Sequence, residues 1–244
     1  MIIIPAIDLR DGNCVRLIEG RKDQSTIYNA DPLETAEQFA AQGAEWLHIV
    51  DLDAAFGDRQ SRNRTIVRRI AEQIKIPVQV GGGLRTVADV EEMINAGVSR
   101  AVVGTVAIES PSTLLELTGR FGDRVCVGID ARDGRVMTRG WQQAEDFSAL
   151  DLARRVAAAG VRRIIYTDIS RDGTLQGLNV TATCELAGNS GLRVTASGGV
   201  ASCDDITSLI SCGEALVDSV IIGKALYENK FTLAEALRAA KNHG

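Results

Sequence analysis

Two carboxylates stand out for where they fall. Asp8 ends the apolar run Ile2-Ile3-Ile4-Pro5-Ala6-Ile7, and Asp130 ends Val125-Cys126-Val127-Gly128-Ile129. An Asp-Gly pair follows each, Asp11-Gly12 and Asp133-Gly134. In an α/β barrel, a carboxylate at the end of a buried strand is placed for chemistry. A pair of them with no metal-ligand cluster nearby suggests general acid–base work, in which one group keeps its proton and the other has lost it. Burial or mutual repulsion can separate two such pKa values. Taken singly, either aspartate reads equally well as a turn former or helix cap.

Glycine-rich turns supply the second signal. Gly81-Gly82-Gly83 and Gly104-Thr105 fall in the first half of the chain, Gly198-Gly199 and Gly223-Lys224 in the second. Bare glycines let backbone N–H groups approach an anion, and a helix N-terminus behind them adds a favourable dipole. One Gly-Gly alone is more often turn chemistry. Two sets in register imply a small-molecule substrate with a phosphate at each end. After Thr167-Asp168, the stretch Ser170-Arg171-Asp172-Gly173-Thr174 offers further amides and donors, or an ordinary Asp-Gly turn. Arg139-Gly140-Trp141 is suited to stacking on a flat heterocycle or to anchoring a loop. His48, inside an apolar strand, reads as a packing residue. His243 falls at the frayed C-terminal end, so a triad or a histidine metal site is poorly supported.

The elements that position these groups alternate. Apolar runs over 2–7, 45–50, 77–80, 100–103, 125–129, 163–167, 193–196 and 219–222 read as strands. Their near-continuous hydrophobicity fits a parallel sheet covered on both faces. Helical patterns over 32–42, 63–74, 87–95, 112–120, 147–159, 180–187, 203–211 and 232–241 lie between them. Glycines stand where several should end: Gly43, Gly97, Gly160, Gly188 and Gly213. The stretch from Asp8 to Ala30 has no assignment and is expected as a long loop over the ligand or in solvent; it holds Arg10, Arg16, Arg21 and Lys22. Landmarks recur in order: Asp51 with Asp168 and Gly82 with Gly199, both 117 residues apart, Gly104 with Gly223, 119 apart, and Asp8 with Asp130, 122 apart. Such a period predicts a single (βα)8 TIM-barrel domain over 1–244, built from two repeated (βα)4 halves.

Composition narrows the function classes. With 244 residues, 45% of them hydrophobic, the chain can bury a large core. A net charge of −5 argues against nucleic acid as a partner. No apolar segment is long enough to span a membrane, and the first nine residues do not form a signal peptide. Five dispersed cysteines with no CxxC pair fit reduced thiols better than a disulfide frame or zinc site. These features predict a cytoplasmic protein without metal. No nucleotide fingerprint is present, so no nicotinamide, flavin or ATP cofactor is expected.

Seven segments together resemble the HisA family, the phosphoribosylformimino-aminoimidazole carboxamide ribotide isomerases of histidine biosynthesis. They are Ile4-Pro5-Ala6-Ile7-Asp8-Leu9-Arg10-Asp11-Gly12, Val50-Asp51-Leu52-Asp53-Ala54-Ala55, Val80-Gly81-Gly82-Gly83-Leu84-Arg85, Val103-Gly104-Thr105, Asp168-Ile169-Ser170-Arg171-Asp172-Gly173-Thr174, Ala196-Ser197-Gly198-Gly199-Val200 and Ile222-Gly223-Lys224-Ala225-Leu226. The resemblance runs from the first strand to the last. It implies an Amadori rearrangement of an aminoaldose to an aminoketose, on a substrate with two phosphates, with no cofactor; apart from the resemblance, a monomer is expected. It implies Asp8 as base, Asp130 as acid, and Thr167 as orienting the sugar or Asp130. It also adds Arg85 to the binding residues, alongside Gly82, Gly83, Gly104, Thr105, Arg139, Trp141, Asp172, Gly173, Gly198, Gly199, Gly223 and Lys224. The related HisF cyclases open with Cys-Leu-Asp and use a strand-one lysine, both lacking here. The bifunctional isomerases of actinobacteria, which also act on phosphoribosyl anthranilate, carry Ser where this chain has Gly81. A non-catalytic phosphosugar-binding barrel is the alternative of a different class.

Overall fold

The computed structural model describes residues 1–18, 21–58, 62–138, 140–141 and 143–241, with backbone alone over 16–18 and 21–25. Arg139 and His243 lie outside the described residues, as do the side chains of Arg16, Arg21 and Lys22. Eight parallel strands form the wall: β1 (Ile2–Arg10), β2 (Leu47–Asp51), β3 (Val78–Gly81), β4 (Arg100–Val103), β5 (Val125–Arg132), β6 (Arg163–Asp168), β7 (Arg193–Ser197) and β8 (Val217–Ile222). β1 pairs with β2 in the register Ala6 to His48 and Asp8 to Val50, and with β8 in the register Ile4 to Ile221. The second of these closes the sheet on itself as a (βα)8 barrel, so its eight wall strands leave no open edge.

The helices are α1 (Pro32–Ala41), α2 (Asn63–Gln73), α3 (Val87–Asn95), α4 (Pro111–Phe121), α5 (Ala149–Ala158), α6 (Val180–Ser190), α7 (Cys203–Ser211) and α8 (Leu233–Lys241). Their starts follow from local chemistry. Asp31 caps α1 with Pro32 in its first turn, and capping boxes open α3 (Thr86 with Asp89), α5 (Ser148 with Asp151) and α7 (Ser202 with Asp205). The main core lies between the wall and the helices; α3, for example, buries Val90, Met93 and Ile94. A smaller cluster of Ile4, Ala6, Val102, Cys126, Ile165 and Ile221 fills the barrel interior. No helix among the described residues is long and apolar enough to cross a membrane.

Several expectations are corrected. The stretch after Asp8 is not a structureless loop: Asn13–Ile18 folds back antiparallel on β1, and Arg21–Asn29 pairs with Asn13–Ile18. Its counterpart, Arg135–Thr138 with Gln143–Ser148, folds back on β5. Both hairpins turn at Asp-Gly pairs with positive φ, 51° and 78° at Asp11 and Gly12, 50° and 77° at Asp133 and Gly134. That is the turn chemistry matched to strand twist, and it carries β1 and β5 beyond the two aspartates. Gly188 lies inside α6, which ends instead on Gly191 at φ 71°. The cysteines are not all free thiols. Cys184 on α6 and Cys212 at the end of α7 form a disulfide, because adjacent helices bring together residues 28 apart in sequence. Cys14, Cys126 and Cys203 are unbridged.

The duplication survives with one change of register. An added Cβ on Gly82 would meet the Asp51 carbonyl oxygen at 2.2 Å, and on Gly198 the Asp168 carbonyl oxygen at 2.8 Å. The counterpart of Gly82 is therefore Gly198, not Gly199. The same symmetry joins Asn63 to Asp51 at 2.9 Å and Asn179 to Asp168 at 2.7 Å.

Candidate active site

All eight strands point their C-terminal ends at one cavity. Asp8 and Asp130 both line it, and so do Gly81, Gly82, Gly83, Gly104 and Thr105 from one half and Gly198, Gly199, Gly223 and Lys224 from the other. Thr167, Arg85, Trp141, Asp172 and Gly173 complete the set, leaving Arg139 as the one candidate outside the described residues. Positions far apart in sequence thus become one mouth because every wall strand is parallel.

Asp130 is held by residues of the second half. Trp141 donates its indole N–H to Asp130 Oδ2 at 2.7 Å. Thr167, directly opposite on β6, also hydrogen-bonds the carboxylate. Burial pushes the Asp130 pKa up, the Trp141 and Thr167 hydrogen bonds pull it partly back, and the nearby Asp172 charge raises it again. The net shift is upward, the direction that favours the protonated form. Trp141 is held at φ 68°, a backbone region that bulky residues rarely occupy. The second hairpin holds it there, aiming the indole at the carboxylate. Asp8 sits on β1 opposite Val50 and Val15.

The glycine turns differ in what they tolerate. Gly82, Gly83, Gly198 and Gly199 all have positive φ, and a side chain on any of them would strike neighbouring backbone. They let one loop lie against the next. Gly104 is different: it is exposed, with nothing within 4 Å of an added Cβ. Short helices follow each fourth strand of a half, Val106–Glu109 behind Thr105 and Lys224–Tyr227 behind Gly223. This is the arrangement that presents backbone amides to phosphate in such barrels. Lys224 donates to the Gly173 carbonyl at 2.8 Å and lies 3.7 Å from Glu228. Arg85 spans the Ala54 and Ala55 carbonyls at 3.2 and 3.1 Å, so its guanidinium braces the end of the short helix Leu52–Ala55 after β2 while lining the cavity. Among the described residues no cluster could hold a metal ion.

Residues not singled out for the site also line the cavity. Phe56 packs against Gly140 beside Trp141, giving two aromatic rings at one end. Val50, Leu52 and Leu175 add apolar wall. His48 is buried as expected of a packing residue, yet it reaches the cavity from β2. The inward phase of β2 was available as a signal, since His48 and Val50 alternate with Leu47 and Ile49.

Similarity to known proteins agrees with this geometry. The model of the family described as "Histidine biosynthesis protein" matches residues 2–232. A protein of Desulforamulus reducens is 47% identical over 241 residues, covering 99% of this chain and 98% of its own length. One from Moorella thermoacetica is 46% identical over 240 residues, covering 98% of each chain. One from Rippkaea orientalis is 50% identical over 241 residues, covering 98% of this chain and 93% of its own. All three are named 1-(5-phosphoribosyl)-5-((5-phosphoribosylamino)methylideneamino)imidazole-4-carboxamide isomerase.

Proposed function

The chain belongs to the histidine biosynthesis protein family, and on that premise we propose that it is the isomerase its relatives are named for, converting the aminoaldose to the aminoketose by an Amadori rearrangement. One observation carries this reading: two carboxylates and two sets of glycine turns, which we read as anion grips, open on a single cavity. A substrate with a phosphate at each end spans the grips, and its ribose lies between Asp8 and Asp130.

Asp130, protonated, gives its proton to the ribose ring oxygen. The ring opens and leaves a Schiff base at C1. Asp8, ionised, removes the C2 proton, and the electron pair moves into the imine, which is its own electron sink. The resulting enolamine gains a proton at C1 and loses one from the C2 hydroxyl, giving the ketone. Thr167 holds Asp130 in place, and Phe56 and Trp141 flank the flat imidazole carboxamide. The chemistry is proton transfer throughout and is contained in the two carboxylates. The same reading places the protein in the cytoplasm.

The deciding assay uses purified protein with each of two substrates, the formimino ribotide and phosphoribosyl anthranilate, with no metal or cofactor added. Turnover of the first alone is expected. Comparable turnover of both would make the chain a bifunctional isomerase, and binding without turnover would make it a non-catalytic phosphosugar barrel.

A further inference from the structure

The floor of the cavity is one layer of inward side chains from the even-numbered strands: His48, Val102, Ile165 and Ile221. Three are apolar. His48 is the exception, and its counterpart in the other half is Ile165, so barrel packing at this level does not call for a polar group. The imidazole is held from below. Arg100, at the start of β4, lies over the Trp46 ring at 4.3 Å and donates to Gln79 Oε1 at 2.8 Å. Gln79 is fully buried, and its Nε2 lies 3.2 Å from His48 Nδ1.

This chain of contacts has one consistent assignment. A guanidinium can only donate, so the Gln79 oxygen must face Arg100. The amide nitrogen then faces His48 and can only donate as well. Nδ1 is therefore the acceptor, and a neutral ring carries its proton on Nε2. Burial first, and the Arg100 charge second, lower the His48 pKa to about 4, so the ring is neutral in ordinary buffers. Among the described residues Gln79 is the hydrogen-bond partner of the imidazole, and Nε2 is not among the sealed polar atoms without one. The remaining N–H faces the cavity.

We propose that His48 is a preset hydrogen-bond donor to a hydroxyl oxygen of the opened sugar, and that Gln79 and Arg100 are positioning residues that set its tautomer from beneath the floor. The inference rests on the isomerase reading. His48 lies one layer below Asp8, since Ala6 pairs with His48 and Asp8 with Val50. A donor there meets the sugar beside the carbon that loses its proton. A neutral donor steadies the developing carbonyl oxygen without offering a second acid to compete with Asp130.

The test joins spectroscopy to kinetics. Nitrogen-15 spectra of the histidine rings, assigned with a His48→Gln variant, should show a neutral Nε2–H tautomer from about pH 5 to 8. Gln79→Glu places an acceptor opposite Nδ1, so the ring should move its proton to Nδ1 or become cationic. That variant and His48→Phe should each lose about tenfold in kcat/KM, the weight of one hydrogen bond, with His48→Gln recovering part through its own donor. If His48→Phe does not fold, the other two variants carry the kinetic arm. A parent ring with its proton on Nδ1, or folded variants with parental kcat and KM, would overturn the proposal. A parent with no turnover overturns the isomerase reading instead, and the spectra still decide the relay.

Discussion

The indole of Trp141 and the carboxylate of Asp130 are joined by a 2.7 Å hydrogen bond within one hairpin. Eleven residues separate them in sequence, and the antiparallel return of Arg135–Thr138 along β5 brings the ring back over the strand. Asp8 has the mirrored hairpin, Asn13–Ile18, but its turn is anchored differently. Asp53 accepts from the Asp11 N–H at 2.7 Å and Asn63 from the Gly12 N–H at 2.9 Å. The first hairpin turn is thus pinned to the loop and helix that follow β2 by the side chains of Asp53 and Asn63.

Removing the indole should raise the Asp130 pKa. The N–H bonds the ionised form, so its loss favours the protonated acid. An acid is active while protonated and fails as pH rises through its pKa. In Trp141→Phe the alkaline limb of the kcat profile should therefore move to higher pH, with a higher KM from the altered ring. A limb that stays put or moves to lower pH would show that Asp130 is not the acid being titrated.

Asp8→Asn and Asp130→Asn should each cost about 10²–10⁴-fold in kcat, the usual weight of a general acid or base. Both side chains keep exposure to the cavity, so thermal unfolding should change little. Full activity in either variant would remove that residue from the mechanism.

Much of this was legible in sequence, and the rest was hidden for definite reasons. Apolar runs ending on Asp8 and Asp130, with glycines in register, located the mouth because parallel strands bring all their C-terminal ends together. The ranges of α3 and α7 follow from Thr86 with Asp89 and Ser202 with Asp205, capping signals local to the chain. The hairpins were missed although Asp11-Gly12 and Asp133-Gly134 announced them; the flanking residues, such as Arg21–Asn29, are too polar to read as strands. Cys184 with Cys212 and Arg85 with Ala54 are contacts between elements, which no local pattern records. His48 looked like packing because burial and cavity lining coincide at a barrel floor.

The phosphate grip proposed after β4 can be tested at Gly104 without disturbing the fold. Gly82→Val would drive a side chain into the Asp51 backbone at a φ of 98°, so lost binding there could not be told from lost structure. Gly104 has open space and no positive φ. Gly104→Ala should leave thermal stability within about 0.5 kcal/mol of the parent while raising KM several-fold, because the new methyl group occupies the anion's approach. Unchanged KM would place the phosphate elsewhere.

The Cys184–Cys212 disulfide closes a separation of 28 residues. Cross-linking a segment of that length restricts the unfolded chain and stabilises the fold by about 2–4 kcal/mol. It ties α6, whose cap Asn179 bonds Asp168, to α7, whose Asp205 holds the Leu178 and Ala201 amides beside the second glycine turn. Protein purified without reductant and denatured should therefore expose three reactive thiols, from Cys14, Cys126 and Cys203. Reduction should raise the count to all five cysteines. Cys184→Ser should lower Tm by several degrees against the unreduced parent and match the parent once both are reduced. Five thiols before any reductant is added would show that the two helices pack without the bond, leaving Asn179 and Asp205 alone to hold the loops.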